Sequence, residues 1–257
     1  MDRIALSSGP ITVYWYSILI FLGIVVAIFL ISSEAKKQKI SEDFLINLTF
    51  KVVIFGILGA RLYYVIFNFP YYINNIGEIF AIWNGGLAIH GALIAGLIVT
   101  YISCKKEKIE LLKMLDIIVV GLIIAQAIGR WGNFFNQEAY GNITTIGHLK
   151  TLKIPNFIIQ GMYIGGEYRE PTFLYESILC LIGFIIMVIL RKNKNLHTGF
   201  LTGFYLLWYG CSRFLIETMR SDSLMLGPIK IAQLVSLIFI VVGAYLIKNK
   251  KKKKHKK

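Results

Sequence analysis

Residues 117–128, IIVVGLIIAQAI, run without a charge into Gly129-Arg130-Trp131-Gly132-Asn133-Phe134-Phe135-Asn136-Gln137-Glu138-Ala139-Tyr140-Gly141. The apolar part belongs to a stretch, 111–130, long enough to cross about 30 Å of hydrocarbon. Arg130 closes that stretch, although an arginine at helix-centre depth costs about 2.5–3.5 kcal/mol on insertion scales. The glycine, amide and carboxylate residues directly after it are poor lipid anchors. They suit a polar site that holds an anionic group near the membrane.

The whole chain fits that reading. Of its 257 residues, 56% are apolar and 16% charged, and its mean hydropathy is +0.64. Soluble domains run at about 45–50% apolar and about 25% charged, so the fold class is an all-α polytopic membrane protein. Seven stretches have the length to span, near 11–31, 44–67, 86–104, 111–130, 172–190, 199–217 and 229–247. The first has no small-x-small cleavage site and reads as a retained transmembrane helix rather than a signal peptide. Residues 131–171 carry Gly141, Gly147, Pro155, Gly161, Gly165, Gly166 and Pro171, with β-prone Phe157-Ile158-Ile159 among them. They read as a small, irregular extracytoplasmic cap with some strand. Residues 1–257 form one integral membrane domain on this reading, and no repeat of transporter type is visible.

Charge distribution sets the orientation. Segments 32–43, 105–113 and 191–197 and the tail 248–257 hold 18 Lys and Arg, against 5 on the alternate side. Basic residues favour the cytoplasm, which puts the N-terminus outside and the C-terminus inside, as an odd number of spans requires. The net charge of +14 therefore comes mainly from a cytoplasmic Lys-rich tail that meets anionic headgroups. No aromatic residues interleave with those lysines, so nucleic acid is not the expected partner. Cys104, Cys180 and Cys211 are far apart and show no metal-ligand spacing. They read as packing residues within helices. No metal, nucleotide or other cofactor is signalled.

Ionisable residues inside spans face cavities or one another. Here they are Arg61, His90, Asp116, Arg130, Glu176, Arg213 and Glu217. Tyr209, Arg213, Glu217 and Arg220 are spaced to share one stripe of a helix. An internal Arg213–Glu217 pair would fix packing alone. With Arg130 at a similar depth, two guanidiniums suit a phosphate. His90 lies about one turn into its span and is followed by Gly91, which permits close approach of another group.

These residues carry a resemblance. Gly129-Arg130-x-Gly132-Asn133-Phe134-x-Asn136-x-Glu138-x-x-Gly141 resembles the signature of bacterial phosphatidylglycerol–prolipoprotein diacylglyceryl transferases. Trp15-Tyr16, Gly59-Ala60-Arg61-Leu62-Tyr63-Tyr64, the Trp83–Leu93 segment, Pro171-Thr172-x-Leu174-Tyr175-Glu176 and Tyr209-Gly210-x-x-Arg213-Phe214-x-x-Glu217-x-x-Arg220 agree in order, from about residue 10 to 247. Two positions depart from the pattern: Glu170 stands where relatives usually have His, and Phe173 where they usually have Gln.

The resemblance implies an enzyme that moves the diacylglyceryl group of phosphatidylglycerol onto the lipobox cysteine of a preprolipoprotein signal peptide, releasing glycerol 1-phosphate. On that reading His90, Arg130 and Arg213 are catalytic, with His90 as base. Arg130, Asn133, Asn136, Glu138, Gly141, Tyr16, Tyr209, Glu217 and Arg220 bind the headgroup. Arg61 and Glu176 support them. The expected setting is the bacterial cytoplasmic membrane, with the site toward the outer leaflet and the enzyme active as a monomer among membrane lipids. An anion transporter would instead need a polar path continuing to the cytoplasmic side and broken helices or repeats. A scaffold would need none of the 129–141 chemistry.

Overall fold

The computed structural model describes residues 2–249 apart from Pro10, Asp222, Leu224 and Pro228. The lysines beyond Asn249, read above as a cytoplasmic anchor, lie outside the described residues. In chain order the elements are β1 (Ile4–Ser8), β2 (Ile11–Tyr14), α1 (Trp15–Lys37), α2 (Glu42–Phe67), α3 (Phe69–Tyr72), α4 (Ile89–Lys106) and α5 (Leu111–Asn136). There follow β3 (Ile143–Thr144), α6 (Ile146–Thr151), α7 (Asn156–Gly161), β4 (Tyr163–Ile164), β5 (Glu167–Arg169), α8 (Thr172–Arg191), α9 (Phe200–Met219), β6 (Met225–Leu226), β7 (Ile229–Lys230) and α10 (Ile231–Lys248).

Five of these helices, α1, α2, α5, α8 and α10, are long and apolar enough to cross a membrane. The other two expected spans are present as helices, α4 and α9. Their own polar residues keep them out of that group: His90, Lys105 and Lys106 in α4, and Arg213 and Glu217 in α9. The protein is a multi-pass, predominantly helical membrane protein. Outward-facing side chains such as Phe21, Phe29, Ile54 and Val241 are apolar and exposed, as lipid contact requires.

The chain divides into two compact units, residues 1–31 with 115–257, and residues 32–114. In the first, α5, α8 and α9 share a core of Val119, Val120, Ile123, Ala127, Cys180, Met187, Leu201 and Tyr205. On α5, Val119, Val120, Ile123 and Ala127 recur at three- and four-residue intervals, which places them on one face. Cys180 is in this core, whereas Cys211 is exposed on α9, so it is not a packing residue. The segment 11–31 is not all helix, because β1 and β2 pair as an antiparallel hairpin and α1 begins only at Trp15. Gly9, with φ +58, supplies the left-handed turn residue that a tight hairpin needs.

Asp116, a charge expected inside a span, has a structural task. Helix α9 begins after Gly199 with no side-chain cap of its own. The Asp116 carboxylate accepts from Gly199 N (2.6 Å), Thr202 N (2.7 Å) and Thr202 Oγ1 (2.7 Å). A carboxylate from α5 thus satisfies the orphan amides at the positive end of α9.

Residues 137–171 fold into a small module of short elements with a three-stranded sheet ordered β3-β5-β4. Its core is Leu149, Ile154, Ile158, Ile159 and Met162, packed with Phe134 and Phe173. Phe157-Ile158-Ile159 is helical, not strand. Pro155 opens α7, and the adjacent pair Ile158 and Ile159 is buried on the helix face against this core.

In the second unit α2 and α4 pack directly. Gly59 and Gly91 meet backbone to backbone, and a Cβ added at Gly91 would lie 2.2 Å from Gly59 O. Small residues permit such close crossing of membrane helices. The group that Gly91 lets in is therefore α2.

Asp116→Ala removes a carboxylate that accepts three hydrogen bonds and leaves the start of α9 uncapped. A loss of about 2 kcal/mol is expected, since hydrogen bonds to charged groups contribute about 1.5–3 kcal/mol. Reversible unfolding in mixed micelles measures it, and Asp116→Asn should lose less.

Candidate active site

Helix α5 runs six residues beyond the expected end of its span, so Arg130, Gly132, Asn133 and Asn136 all project from helix. It stops in a Schellman motif. Gln137 N donates to Phe134 O (3.2 Å) and Glu138 N to Asn133 O (3.0 Å), with Gln137 at φ +52. This reversal turns the Glu138 carboxylate back along α5. There Oε1 accepts from Asn133 Nδ2 at 2.8 Å and from Asn136 Nδ2 at 3.5 Å. The spacing Asn133, Asn136, Glu138 is thus a single local construction.

One turn inward lies a chain of charges on three helices. Arg130 of α5 pairs through Nε with Glu176 Oε2 of α8. Arg213 of α9 donates from Nη1 to Glu176 Oε1 and pairs through Nη2 with Glu217 Oε2. Glu176 is 6% exposed and Glu217 1% exposed. The order Arg130–Glu176–Arg213–Glu217 alternates in sign, so the buried group is neutral as a whole. Tyr209 stacks on Tyr205 at 5.8 Å, one helical turn before Arg213 on α9.

The Asn136–Glu138 end of α5 lines a cavity of about 300 Å³ together with Arg3, Tyr14, Tyr16 and Ser17. Tyr16 joins the two features, since its phenol is within electrostatic reach of both Glu138 and Arg130. Its ring packs on Gly132, where an added Cβ would stand 2.6 Å from a ring carbon. Trp15 stacks on Phe135 at 5.2 Å, which ties the start of α1 to the end of α5.

Gly141 and Arg220 form an isolated antiparallel bridge. Arg220 is extended and lies just past α9, so it does not continue the helical stripe of Tyr209, Arg213 and Glu217. Lys230 Nζ donates to Glu217 O (2.6 Å) and Arg220 O (3.0 Å), closing this end of α9. A Cβ on Gly141 would meet Glu170 Cβ at 2.6 Å. The two positions that depart from the family pattern are both engaged, one by polar partners and one by packing. Glu170 accepts from Tyr175 Oη at 2.7 Å and lies 3.4 Å from His148 Nε2. Phe173 stacks on Phe134 at 4.7 Å.

In the second unit His90 is exposed in the first turn of α4, with its ring 5.9 Å from that of Tyr63. Arg61 is buried on α2 and makes hydrogen bonds to main-chain carbonyls. Outside the spanning helices, Tyr71 Oη donates to Glu78 Oε2 at 2.8 Å, and this bond raises the phenol's pKa.

The first unit therefore unites Tyr16, Arg130, Asn133, Asn136, Glu138, Glu176, Tyr209, Arg213 and Glu217. Sequence reasoning overlooked Arg3, Tyr14 and Ser17. The alternation of Ile4 and Leu6 with Ile11 and Val13 about Gly9 was the available signal for the hairpin that brings Arg3 and Tyr14 to the cavity. Glu176, expected only to support the site, contacts both arginines.

A family model described as prolipoprotein diacylglyceryl transferase matches residues 3–248. Curated proteins named phosphatidylglycerol–prolipoprotein diacylglyceryl transferase from Streptococcus pneumoniae strains ATCC 700669 / Spain 23F-1, Taiwan19F-14 and JJA are similar to this chain. Each is 48% identical over 255 residues, covering 99% of this chain and 96% of the relative.

Glu176→Ala leaves two half-buried guanidiniums without their shared, buried counter-ion. Breaking a buried pair this way costs about 3–5 kcal/mol. The unfolding midpoint should fall further than in Glu217→Ala, which removes a partner from Arg213 alone. Equal midpoints for Glu176→Ala and the parent would refute the bridging role.

Proposed function

The chain belongs to the prolipoprotein diacylglyceryl transferase family, and we propose from this that it moves the diacylglyceryl group of phosphatidylglycerol onto the cysteine thiol of preprolipoproteins. This is the first step of lipoprotein maturation. The observation that carries the site assignment is the buried Arg130–Glu176–Arg213–Glu217 chain. It holds two guanidiniums in place before any substrate arrives.

The reaction forms one bond and breaks one. The acceptor sulfur attacks the terminal glycerol carbon of the diacylglyceryl group, and a thioether forms. The C–O bond to phosphate breaks, and glycerol 1-phosphate leaves with the electron pair. Negative charge concentrates on that phosphate, so Arg130 and Arg213 act where the charge grows. Glu176 and Glu217 keep them aimed, and Tyr209 orients Arg130. Asn133, Asn136 and Glu138 bind the glycerol hydroxyls, with Tyr16 as a wall and Gly141 and Arg220 closing the rim. Arg3 adds a cation to the same cavity and supports an anionic headgroup there.

A thiol has a free pKa near about 8.5 and reacts as thiolate. His90 is the base that takes its proton. An imidazole can accept a proton from a thiol, and its place in the first turn of α4 leaves the ring accessible.

The setting follows from the sequence. Helices α4 and α9 complete seven spans of a single membrane domain, with residues 137–171 as the extracytoplasmic cap. The N-terminus is outside and the C-terminus is in the cytoplasm. Donor lipid and lipobox signal peptide reach the outer-leaflet site laterally from the bilayer of the cytoplasmic membrane, and one copy suffices.

The test combines purified protein, phosphatidylglycerol and a lipobox peptide in nanodiscs, followed by peptide mass spectrometry and glycerol phosphate release. The parent should add a diacylglyceryl mass. Arg130→Ala should lose about 10²–10³ in kcat, the scale of removing one preorganised donor. Arg3→Ala should mainly raise KM for the lipid. No mass gain by folded parent with a validated peptide would overturn the assignment.

A further inference from the structure

His90 follows a stretch with little structure of its own. Residues 76–80 and 82–84 form short 3₁₀ turns, and Gly85 and Gly86 have φ of +83 and +69. Nothing in this local sequence fixes where the first turn of α4 begins. The fixing comes from α2.

Arg61 is 6% exposed and spends its guanidinium on main chain. Nε donates to Ile79 O (2.9 Å), Nη1 to Gly85 O (2.8 Å) and Gly86 O (3.1 Å), and Nη2 to Glu78 O. The carbonyls come from the 76–80 turn and from the Gly85-Gly86 stretch that follows the second turn, and a planar fork reaches both at once. Tyr72 covers the cation at 5.2 Å. Gly86 lies flush against the clasp, since a Cβ there would be 2.5 Å from Arg61 Nη1 and 2.8 Å from the Tyr64 ring. Ala88 N then donates to Ala60 O (3.0 Å), the neighbour of Arg61 on α2. Two residues later comes His90.

We infer that Arg61 is a positioning residue: by clasping the carbonyls of residues 78–86 to α2 it sets where the His90 imidazole stands. The role differs in kind from that of Arg130 and Arg213. Those arginines meet carboxylates and act on an anion, whereas Arg61 meets carbonyls and acts through the backbone. The inference rests on His90 being the base that deprotonates the acceptor thiol.

The experiment separates loss of the base from loss of the fold. Arg61→Gln, Arg61→Lys, Gly86→Ala and His90→Ala are assayed in nanodiscs with a lipobox peptide carrying cysteine, and again with selenocysteine at that position. A selenol is already ionised at neutral pH and needs no base, so its transfer reports everything except proton removal. With cysteine, Arg61→Gln and Gly86→Ala should lose at least about tenfold in kcat, within the about 10²–10⁴ attributed to a general base. KM for phosphatidylglycerol should stay within about twofold, since no headgroup contact is removed. The residual rate should climb with pH as the free thiol ionises near about 8.5. With selenocysteine all four variants should return to near the parent rate. Arg61→Lys should recover only part of the cysteine activity, because one ammonium cannot span both stretches.

If selenocysteine restores His90→Ala but not Arg61→Gln or Gly86→Ala, the clasp only supports the fold and the inference fails. An unimpaired Arg61→Gln beside an impaired His90→Ala also overturns it, and leaves His90 as base. Full cysteine activity in His90→Ala removes the base assignment itself, and the inference with it.

Discussion

One carboxylate holds two cations. Glu176 reaches Arg130 with one oxygen and Arg213 with the other, so α5, α8 and α9 must meet at a single depth. None of the three charges is tolerable there alone: an arginine within a span is costly, and so is an unpaired buried carboxylate. Together with Glu217 they sum to zero, which is what lets so polar a group sit inside apolar helices. The same two helices, α5 and α9, are tied again where Asp116 caps α9. Asp116 and Arg130 are fourteen residues apart, about 21 Å of helix rise. Two polar clamps thus fix α9 against α5 along most of a membrane thickness. The apolar core between them fills the space without having to choose the register.

This arrangement suits a phosphate-leaving reaction because nothing has to assemble when charge develops. In water, a growing phosphate charge is stabilised by solvent that must reorient. Guanidiniums already pinned by carboxylates need no reorientation. The carboxylates weaken the net field, but they hold two positive groups side by side, where mutual repulsion would otherwise drive them apart. Arg61 shows the alternative use of the same side chain. Its donors are spent on carbonyls, and it holds a backbone instead of a ligand.

Much of this was legible from residue order. The helices follow from length and hydropathy, and the shared face of Tyr209, Arg213 and Glu217 follows from helical spacing. Charges within spans announced that they had partners. The partner of Arg130 is on another helix, and no spacing rule relates residues 130 and 176. The motif after Arg130 could be seen as polar, but not as a helix end that folds its own glutamate back onto two asparagines. That construction depends on Gln137 adopting a left-handed conformation that glycine usually supplies. The hairpin before Trp15 was absorbed into an apolar stretch, because a short strand and the start of a span look alike in hydropathy. Phe157-Ile158-Ile159 was misread for a related reason: β-branched residues favour strands only where tertiary packing agrees.

The two departures from the family pattern bear on the choice of base. A histidine beside Pro171 would be a natural candidate for proton transfer, and here the position is Glu170. That carboxylate is buried, accepts from Tyr175 and sits by His148, so it is engaged in holding the 137–171 module to α8. Phe173, in place of an amide, stacks on Phe134 inside the core of the 137–171 module and offers no side-chain hydrogen bond. Glu170 keeps polar partners where Phe173 gives polar reach up for packing, and both lie on the far side of Gly141 from Asn133 and Glu138 in the chain. His90, the base in the proposed reaction, is exposed at the start of α4, just after the segment whose carbonyls Arg61 holds.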